Sequence, residues 1–390
     1  MDATELRELF TPDALTLLDS IPPWDSSADV VKTVAALRKA GHAPGTVAAV
    51  LSQARLRARA VDKFGPFAAR MLFTEDGLEQ ATRLAVAALH AGRFRDAGSQ
   101  RVADLGSGIG ADALALAAID LDVTAVERDE VTAAIATYNL APWTNASVVH
   151  ADATTFDLTG FDAVYLDPAR RAGGRRLSNP ADWSPSLDFA FSLGLPTGVK
   201  LGPGVDRDLI PQGAEAQWVS VDHDVVELGV WTGALARDGI RRSALVIGRH
   251  GTAELSAEAD SADAETGELG EFLYEPDGAV IRARLIGDLA RSLDARMLHP
   301  QIAYLTADHA EVTHFASCFR VAETLPLDEK AIKRELKARD IGTLEIKKRG
   351  VDIDPAEFRK RLSLGGSRSA TLLLTRLGER RVAILADRVA

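Results

Sequence analysis

Cysteine is almost missing from this 390-residue sequence, which contains only Cys318. A single cysteine cannot form an internal disulfide, and no group of cysteines and histidines has the spacing of a zinc site. No bound metal is therefore expected. A lone cysteine can serve as a nucleophile, but it is more often a small residue of the core, and we expect Cys318 to be buried.

Long apolar runs are also missing. The most apolar window, Ala113 to Val126, is interrupted by Asp120 and Asp122, whereas a membrane-spanning helix needs about 20 predominantly apolar residues. The first five residues are acidic and do not have the basic-then-apolar pattern of a secretory signal. We therefore predict a cytoplasmic protein without membrane contact.

Positive charge is scarce overall. The chain has 45 Lys and Arg against 56 Asp and Glu, a net charge of -11, which argues against a general polyanion-binding protein. The exception is the segment from Glu329 to Arg381, where 15 basic residues face 8 acidic ones. A basic end on an acidic protein predicts a specialised binding surface in that segment.

Hydrophobic periodicity divides the chain into four parts. Residues 1–95 have the apolar spacing of helices and predict a helical N-terminal region. Over residues 96–250, short β-branched strands alternate with helices, which is the pattern of a parallel sheet with crossover helices. Residues 251–271 are acidic and poor in large apolar residues, which predicts a linker or loop. Residues 272–390 predict a small α/β C-terminal domain.

The strongest local signal is a glycine-rich turn between a strand and a helix, Asp104-Leu105-Gly106-Ser107-Gly108-Ile109-Gly110. Glycines permit the tight turn and let a ligand approach the backbone, and the helix then begins with free N–H groups. The spacing to Ala111 also satisfies a dinucleotide pattern, with Glu127 about 20 residues further on. However, Asp104 lies within the strand. A carboxylate there favours a ligand with an ammonium group and no nearby phosphate, such as the methionine half of S-adenosylmethionine.

Three more acids are predicted at the ends of successive strands. Glu127 ends the second strand, Asp152-Ala153 follows the third, and Asp167-Pro168 follows the fourth. The carboxyl ends of parallel strands form the ligand-binding edge of an open α/β sheet. There, Asp152 can accept from an adenine amino group and Asp167 can hold an acceptor nitrogen. Each acid also has a structural explanation, as a cap, an Asx-turn or a turn before proline, but their order along the chain favours a binding site.

With these motifs, residues 101–172 resemble a class I S-adenosylmethionine-dependent methyltransferase. Three further segments are similar to a bacterial group of such enzymes with a THUMP-like C-terminal domain. They are Phe73-Thr74-x-x-Gly77-Leu78-Glu79-Gln80-Ala81-Thr82-Arg83, Val199-Lys200-Leu201-Gly202-Pro203-Gly204 and Glu345-Ile346-Lys347-Lys348-Arg349-Gly350-Val351-Asp352. The resemblance implies an α/β fold: a Rossmann-like methyltransferase core, a helical N-terminal region and a small α/β C-terminal domain.

The resemblance also implies which residues bind the cofactor, S-adenosylmethionine. They are Thr74, Gln80, Thr82, Asp104, Gly106, Gly108, Glu127, Asp152 and Ala153. Asp104 and the glycines are expected to line the methionine and ribose, Glu127 to accept both ribose hydroxyls, and Asp152 to meet the adenine. Thr74 and the segment 80–82 are expected to close over the cofactor, with a simple helix start as the equal alternative.

The acceptor side departs from the pattern of enzymes that methylate exocyclic amines. Those enzymes have a second proline and an aromatic residue after Asp-Pro, whereas here Asp167-Pro168 is followed by Ala169-Arg170-Arg171. A base could instead stack on Arg170, on Tyr165 or on Trp183. We interpret the cluster Arg170, Arg171, Arg175 and Arg176 as a phosphate clamp at the mouth of the site, with a solvated loop as the alternative.

These features predict a methyltransferase that modifies a base nitrogen in RNA, with Asp167 and Pro168 as catalytic residues. The basic residues Lys347, Lys348 and Arg349 are predicted to contact RNA phosphates. Two alternatives stay open: a methyltransferase that acts on a small molecule or a protein, and a non-catalytic binding protein on a methyltransferase fold. The target RNA, the modified atom and the oligomeric state do not follow from the sequence.

Overall fold

The computed structural model describes residues 1–22, 27–169, 171–172, 175–176, 182–249 and 251–389. The chain divides into two compact units. The first comprises Met1–Leu201 and Trp231–Ala236, and the second comprises Gly202–Val230 and Arg237–Ala390. The glycine-rich turn and the acids at the strand ends belong to the first unit, and the basic segment belongs to the second.

The first unit begins with helices, as predicted. Their bounds are α1 (Ala3–Leu9), α2 (Pro12–Ser20), α3 (Ser27–Lys39), α4 (Pro44–Phe64), α5 (Glu75–Gln80) and α6 (Leu84–Asp96). Asp2 and Thr11 cap α1 and α2 by accepting backbone N–H bonds, which stabilises a helix start. Along α4, Val50, Leu56 and Phe64 are buried in the core of the unit.

Five parallel strands form the sheet of the first unit. They are β1 (Arg101–Leu105), β2 (Asp122–Glu127), β3 (Ala146–His150), β4 (Ala163–Leu166) and β7 (Thr197–Leu201), in the spatial order β3-β2-β1-β4-β7. The helices α7 (Ala111–Ala117), α8 (Glu130–Leu140) and α9 (Leu187–Phe191) and a short hairpin, β5 (Arg171–Ala172) and β6 (Arg175–Arg176), lie between them in sequence. The strand order reverses between β1 and β4, which is where open α/β sheets bind ligands.

The second unit contains two groups of strands. The first group is β8 (Glu215–Val221), β9 (Asp224–Trp231, whose last residue belongs to the first unit), β10 (Arg242–Gly248) and β11 (Gly251–Ala257). The sequence predicts a loop over 251–271, but its first part is β11, which pairs antiparallel with β10. Ala253, Leu255 and Ala257 alternate there with polar residues. The acidic composition of the whole segment hides this period of two.

The second group is a seven-stranded sheet. Its strands are β12 (Phe272–Pro276), β13 (Arg296–His299), β14 (Ile302–Ala307), β15 (Ala316–Pro326), β16 (Ile341–Lys348), β17 (Arg368–Leu377) and β18 (Arg380–Arg388), in the order β13-β14-β12-β15-β18-β17-β16. Four helices lie between these strands in the sequence: α10 (Gly278–Arg282), α11 (Ile286–Ser292), α12 (Glu329–Ala338) and α13 (Pro355–Leu362). Cys318 on β15 is buried, as predicted.

No helix within the described ranges has both the length and the apolar character that a membrane span requires.

Candidate active site

Most of the predicted site residues line one cleft in the first unit. They are Thr74, Gln80, Asp104, Gly106, Gly108, Glu127, Asp152, Ala153 and Asp167. The acids come from β1, from the end of β2 and from the residues after β3 and β4. The parallel sheet brings these carboxyl ends to one edge, so residues far apart in the chain meet there.

The glycine-rich loop has the backbone that its sequence predicts. Gly106, Gly108 and Gly110 have φ angles of 77°, 55° and 83°, in the left-handed region that favours glycine. The N–H groups of Gly106 and Ser107 donate to the Val126 carbonyl at 2.9 and 3.1 Å. These bonds fix the loop against the end of β2.

Glu127 is tied to the same loop. Its Oε2 accepts from the Gly108 N–H at 3.0 Å, and its Oε1 accepts from the Asp129 N–H at 2.9 Å. Asp129, and not Glu127, is the residue that caps α8. The carboxylate therefore has a fixed position on the cleft wall.

Asp104 is buried in the middle of β1, with 1 % of its surface exposed. Within the described part of the chain, its Oδ2 has no hydrogen-bond partner. Burial raises the pKa of Asp104 well above its usual value, and the carboxylates of Asp112 and Asp167 raise it further. A buried oxygen without a donor at a ligand cleft fits the ammonium group of S-adenosylmethionine, which would supply the missing donor.

Asp112, in the first turn of α7, also lines the cleft and was not predicted. The Thr82 hydroxyl donates to its Oδ2 at 2.7 Å, and His90 Nδ1 lies 3.5 Å from its Oδ1. Burial raises the pKa of Asp112, but the neighbouring His90 ring and the charge of Lys200 outweigh burial and hold the pKa below its usual value. An acid in an otherwise apolar, buried helix was the available sequence signal.

Thr82, a predicted cofactor-binding residue, is buried and is not among the residues that line the cleft. Its contact is with Asp112. The structure thus places Thr82 as a support for a cleft carboxylate.

Asp167 forms an ion pair that the sequence analysis missed. Lys200 Nζ donates to Asp167 Oδ2 at 2.6 Å and to the Gln80 carbonyl at 3.0 Å. The exposed fractions of the two side chains are 10 % for Lys200 and 28 % for Asp167. Such a pair favours the ionised carboxylate. A lysine within the fully buried strand β7 was the signal that could have revealed it.

Buried polar side chains fix the segment that precedes α5. Gln53 bonds both the N–H and the carbonyl of Phe73, at 3.0 and 2.7 Å. Asn139 does the same for Leu72, at 2.8 and 3.0 Å. The backbone that leads to Thr74 is thus held on both edges, although it belongs to no strand.

Helix α5 packs directly on the glycine-rich loop. Thr74 caps it by accepting from the Gly77 N–H at 2.9 Å, so the helix-start explanation of Thr74 holds alongside its place in the cleft lining. A Cβ atom on Gly77 would come within 2.5 Å of Ile109 Cγ2. At the C-terminal end of the helix, Lys63 Nζ donates to the carbonyls of Leu78, Glu79 and Ala81 at 2.7 to 2.9 Å. This turn, which includes the cleft residue Gln80, is therefore held by two lysines.

Asp152 lies at the cleft and also forms the Asx-turn that its sequence context allows. It lines the cleft, and its Oδ1 accepts from the N–H and the hydroxyl of Thr154 at 2.8 and 2.6 Å. The hydroxyl bond and then the N–H bond hold the pKa of Asp152 below its usual value. The Asx-turn thus orients an exposed, ionised carboxylate at the cleft.

Backbone pairing forms the part of the cleft wall next to Asp167. Ala169 and Ser184 exchange N–H···O bonds of 2.8 and 3.1 Å, and Ser184 and Pro185 line the cleft with Asp167. Pro168 is buried and is not among the lining residues. Arg170 lies outside the described residues, and only the backbone of Arg171, in β5, is described.

The prediction that a base could stack on Tyr165 is wrong. It is 1 % exposed, and its hydroxyl lies 3.2 Å from His90 Nδ1. Alternate residues of β4 face opposite sides of the sheet, and the side chain of Tyr165 faces the core. There its ring packs edge-on against Phe94. Trp183 is also buried and is not among the lining residues.

The predicted basic residues of the second unit do not form one free surface. Lys347 Nζ lies 2.6 Å from Glu275 Oε2, and Arg349 lies 3.7 Å from Glu275 Oε1 and 5.5 Å above the Tyr304 ring. Their side chains are 22 % and 30 % exposed. Lys348 is exposed and has no ion pair within the described ranges. Neighbouring residues of an extended strand point to opposite faces, which separates Lys348 from the other two.

A doubly wound α/β sheet with a glycine-rich loop, a buried acid before it and acids after successive strands defines the class I S-adenosylmethionine-dependent methyltransferase fold. Two Mycobacterium tuberculosis proteins, from strains CDC 1551 / Oshkosh and H37Rv, are each 34% identical to this chain over 334 residues. The match covers 83% of this chain and 91% of each relative, and both are described as uncharacterised S-adenosylmethionine-dependent methyltransferases. The chain belongs to this family of enzymes, whose cofactor is S-adenosylmethionine.

Two further comparisons concern the fold and the ends of the chain. The crystal structure of an inferred methyltransferase from Porphyromonas gingivalis W83 matches 94% of this chain and 99% of its own, with a TM-score of 0.73 at 21% identity. A family model described as THUMP domain-like matches residues 316–388, and a domain of unknown function matches residues 2–60. The THUMP-like match confirms that part of the resemblance seen in the sequence.

Proposed function

We propose that this methyltransferase modifies a nitrogen atom of an RNA base. The observation that carries the proposal is the carboxylate of Asp167, which lies at the cleft and is ion-paired with Lys200. An ionised carboxylate accepts hydrogen bonds and has none to donate. It therefore suits an acceptor group that carries N–H.

The protein contributes alignment and electrostatics to the transfer. S-adenosylmethionine would supply the activated methyl group: its sulfur–methyl bond would break as the nitrogen–methyl bond forms, S-adenosylhomocysteine would leave, and the proton lost by the nitrogen would pass to the solvent. Asp167 accepts a hydrogen bond from the acceptor N–H, which directs the nitrogen lone pair toward the methyl group. Positive charge grows on that nitrogen as the bond forms, so the contact with Asp167 strengthens in the transition state. Lys200 keeps the carboxylate in place and ionised.

RNA as the substrate is supported by the second unit. Its THUMP-like part includes α12, on which Lys330, Arg334 and Lys337 follow each other at i, i+4 and i+7. This spacing places the three on one helix face. All three are exposed, and none has an ion pair within the described ranges. We therefore assign the phosphate contacts to this face of α12 and to Lys348, rather than to Lys347 and Arg349.

The test is mass spectrometry of nucleosides from the total RNA of a strain that lacks the gene. One N-methylated nucleoside should disappear. The native gene and a matched control, Asp188→Asn on the exposed side of α9, should restore it, whereas Asp167→Asn should not. An unchanged nucleoside profile in the deletion strain would contradict the proposal and favour a small-molecule or protein acceptor.

A further inference from the structure

We propose that Asp104 and Asp112 form a carboxylate pair that receives the ammonium group of the cofactor, and that Asp104 gives up a proton as the ammonium enters. Asp112 is not among the residues that the family resemblance implies. Proton release on binding is separate from methyl transfer. The proposal concerns the cofactor and is independent of the nature of the acceptor.

The two carboxyl groups differ in what surrounds them. Asp104 Oδ2 is buried and has no hydrogen-bond donor within the described part of the chain. An ionised oxygen in that position is costly, because burial removes water and no other donor replaces it. The neutral carboxyl group is therefore the stable form of Asp104 in the free protein, as its raised pKa also indicates.

Asp112 is also buried, and its Oδ1 has no hydrogen-bond partner within the described part of the chain, but its Oδ2 has one. It accepts from the Thr82 hydroxyl at 2.7 Å and lies 3.5 Å from His90 Nδ1. These contacts stabilise its ionised form. Two carboxyl groups whose surroundings favour opposite protonation states are a recurring arrangement of functional sites. At this cleft, Asp112 offers a fixed negative charge, and Asp104 offers a second one when it loses its proton.

The charged groups around the pair favour a cation. Asp104 faces Asp112 on α7, Asp167 after β4 and Lys200 on β7, and its other contact is the Ala113 N–H. Asp112 faces His90 on α6 and Lys200. Asp104, Asp112 and Lys200 thus influence one another electrostatically, while Lys200 is in direct contact with Asp167. An ammonium group that enters here finds Asp104 and Asp112 as acceptors, because Asp167 is already paired with Lys200.

Binding of the ammonium group releases one proton from the Asp104 carboxyl group. The ammonium keeps its three hydrogens and donates toward the carboxylates. Its positive charge favours the ionised form of Asp104, so the carboxyl O–H breaks and the proton passes to the solvent. Because the complex holds one proton fewer than its separate components, affinity should rise with pH as long as the ligand amine stays protonated.

Calorimetry of the full chain tests this without any substitution. S-adenosylhomocysteine is titrated at about pH 6.5 in buffers with different ionisation enthalpies, below the range near 8 where an α-amino group titrates. We expect about one proton released per bound ligand. 5′-Methylthioadenosine, which has no amino-acid end, should release none. Equal proton numbers for the two ligands, or none for S-adenosylhomocysteine, would overturn the proposal.

Two variants separate the roles of the pair. Asp104→Asn should abolish proton release and weaken S-adenosylhomocysteine about 10-fold, because a charge-assisted hydrogen bond is lost. Asp112→Asn should reduce proton release, since Asp104 loses a like-charged neighbour, and should weaken the same ligand by a similar factor of about 10. Neither should alter the affinity for 5′-methylthioadenosine.

The matched control is Asp76→Asn, an exposed acid of the same cleft. It should keep the proton number of the native chain. If Asp112→Asn weakens both ligands equally, Asp112 supports the fold of the cleft and does not meet the ammonium. The numbers of protons released with the two ligands on the native chain test the proposal even if a variant does not fold.

Discussion

The cleft of the first unit and the basic segment of the second unit treat charged residues in opposite ways. In the cleft, Asp104, Glu127 and Asp167 are separated in the chain and meet at one sheet edge. In the basic segment, Lys347, Lys348 and Arg349 are adjacent in the chain, yet two of them pair with Glu275 and the third is exposed. The position of a charge on its strand, more than its neighbours in the sequence, decides whether a ligand can reach it.

The largest expected effect is on catalysis at Asp167. Asp167→Asn keeps the shape of the side chain but removes the charge that orients the acceptor. We expect the rate of methyl transfer to fall by about 100-fold or more, while cofactor affinity changes little, because the lost interaction belongs to the transition state. Single-turnover transfer and calorimetry measure the two quantities. An equal loss in both would place Asp167 on the cofactor and not on the acceptor.

The ion pairs of the second unit should matter for stability. Glu275→Gln removes the carboxylate that Lys347 and Arg349 share and leaves Lys347 with its longer contact to Glu345, at 3.4 Å. This change should lower the free energy of unfolding by about 2 kcal/mol. Lys348→Met, one residue away but exposed, should change it by no more than about 0.5 kcal/mol. Urea unfolding of the full chain compares the two variants. Similar losses would show that the three basic residues share one environment after all.

Glu127 and Asp152 provide a comparison within the cleft. Glu127→Ala removes an acceptor that the glycine loop holds in place, and it should weaken S-adenosylhomocysteine by about 1–3 kcal/mol. Asp152→Asn should have a smaller effect, of about 1 kcal/mol or less, because Asp152 is exposed and its Oδ1 already accepts two bonds from Thr154. Calorimetric titration of both variants checks the order. A larger loss at Asp152 would reverse the assignment of the dominant contact.

The face of α12 should control how RNA affinity depends on salt. Arg334→Glu combined with Lys337→Glu should flatten the slope, because fewer counterions are released when fewer phosphates are neutralised. The control, Arg38→Glu combined with Lys39→Glu, makes the same charge change on two exposed residues of α3. Filter binding at several salt concentrations gives both slopes. Equal slopes for the two variants would show that this face of α12 does not contact RNA phosphates.

The sequence predicts this fold well because its signals are local. Alternating strands and helices, together with the glycines of the loop, specify the doubly wound sheet, and the sheet in turn determines where Asp104, Glu127, Asp152 and Asp167 meet. A strand such as Gly251–Ala257 escapes prediction because its alternation is weak and the acidic residues around it dominate the composition.

The residues that were missed act through long-range contacts. Lys200 reaches Asp167 across neighbouring strands, and Asp112 is held by Thr82 and His90 from other helices and turns. No periodicity in the chain encodes such pairs. A charged residue inside a buried element, as at both positions, is the one indication that the sequence contains.

The most direct measurement is the transfer of labelled methyl groups from S-adenosylmethionine into RNA purified from a strain that lacks the gene. The native chain should label this RNA, and RNA from the parent strain, already modified, should take up far less label. Asp167→Asn should bind the cofactor and leave both RNAs unlabelled. Label that enters protein or small molecules and not RNA would contradict the account.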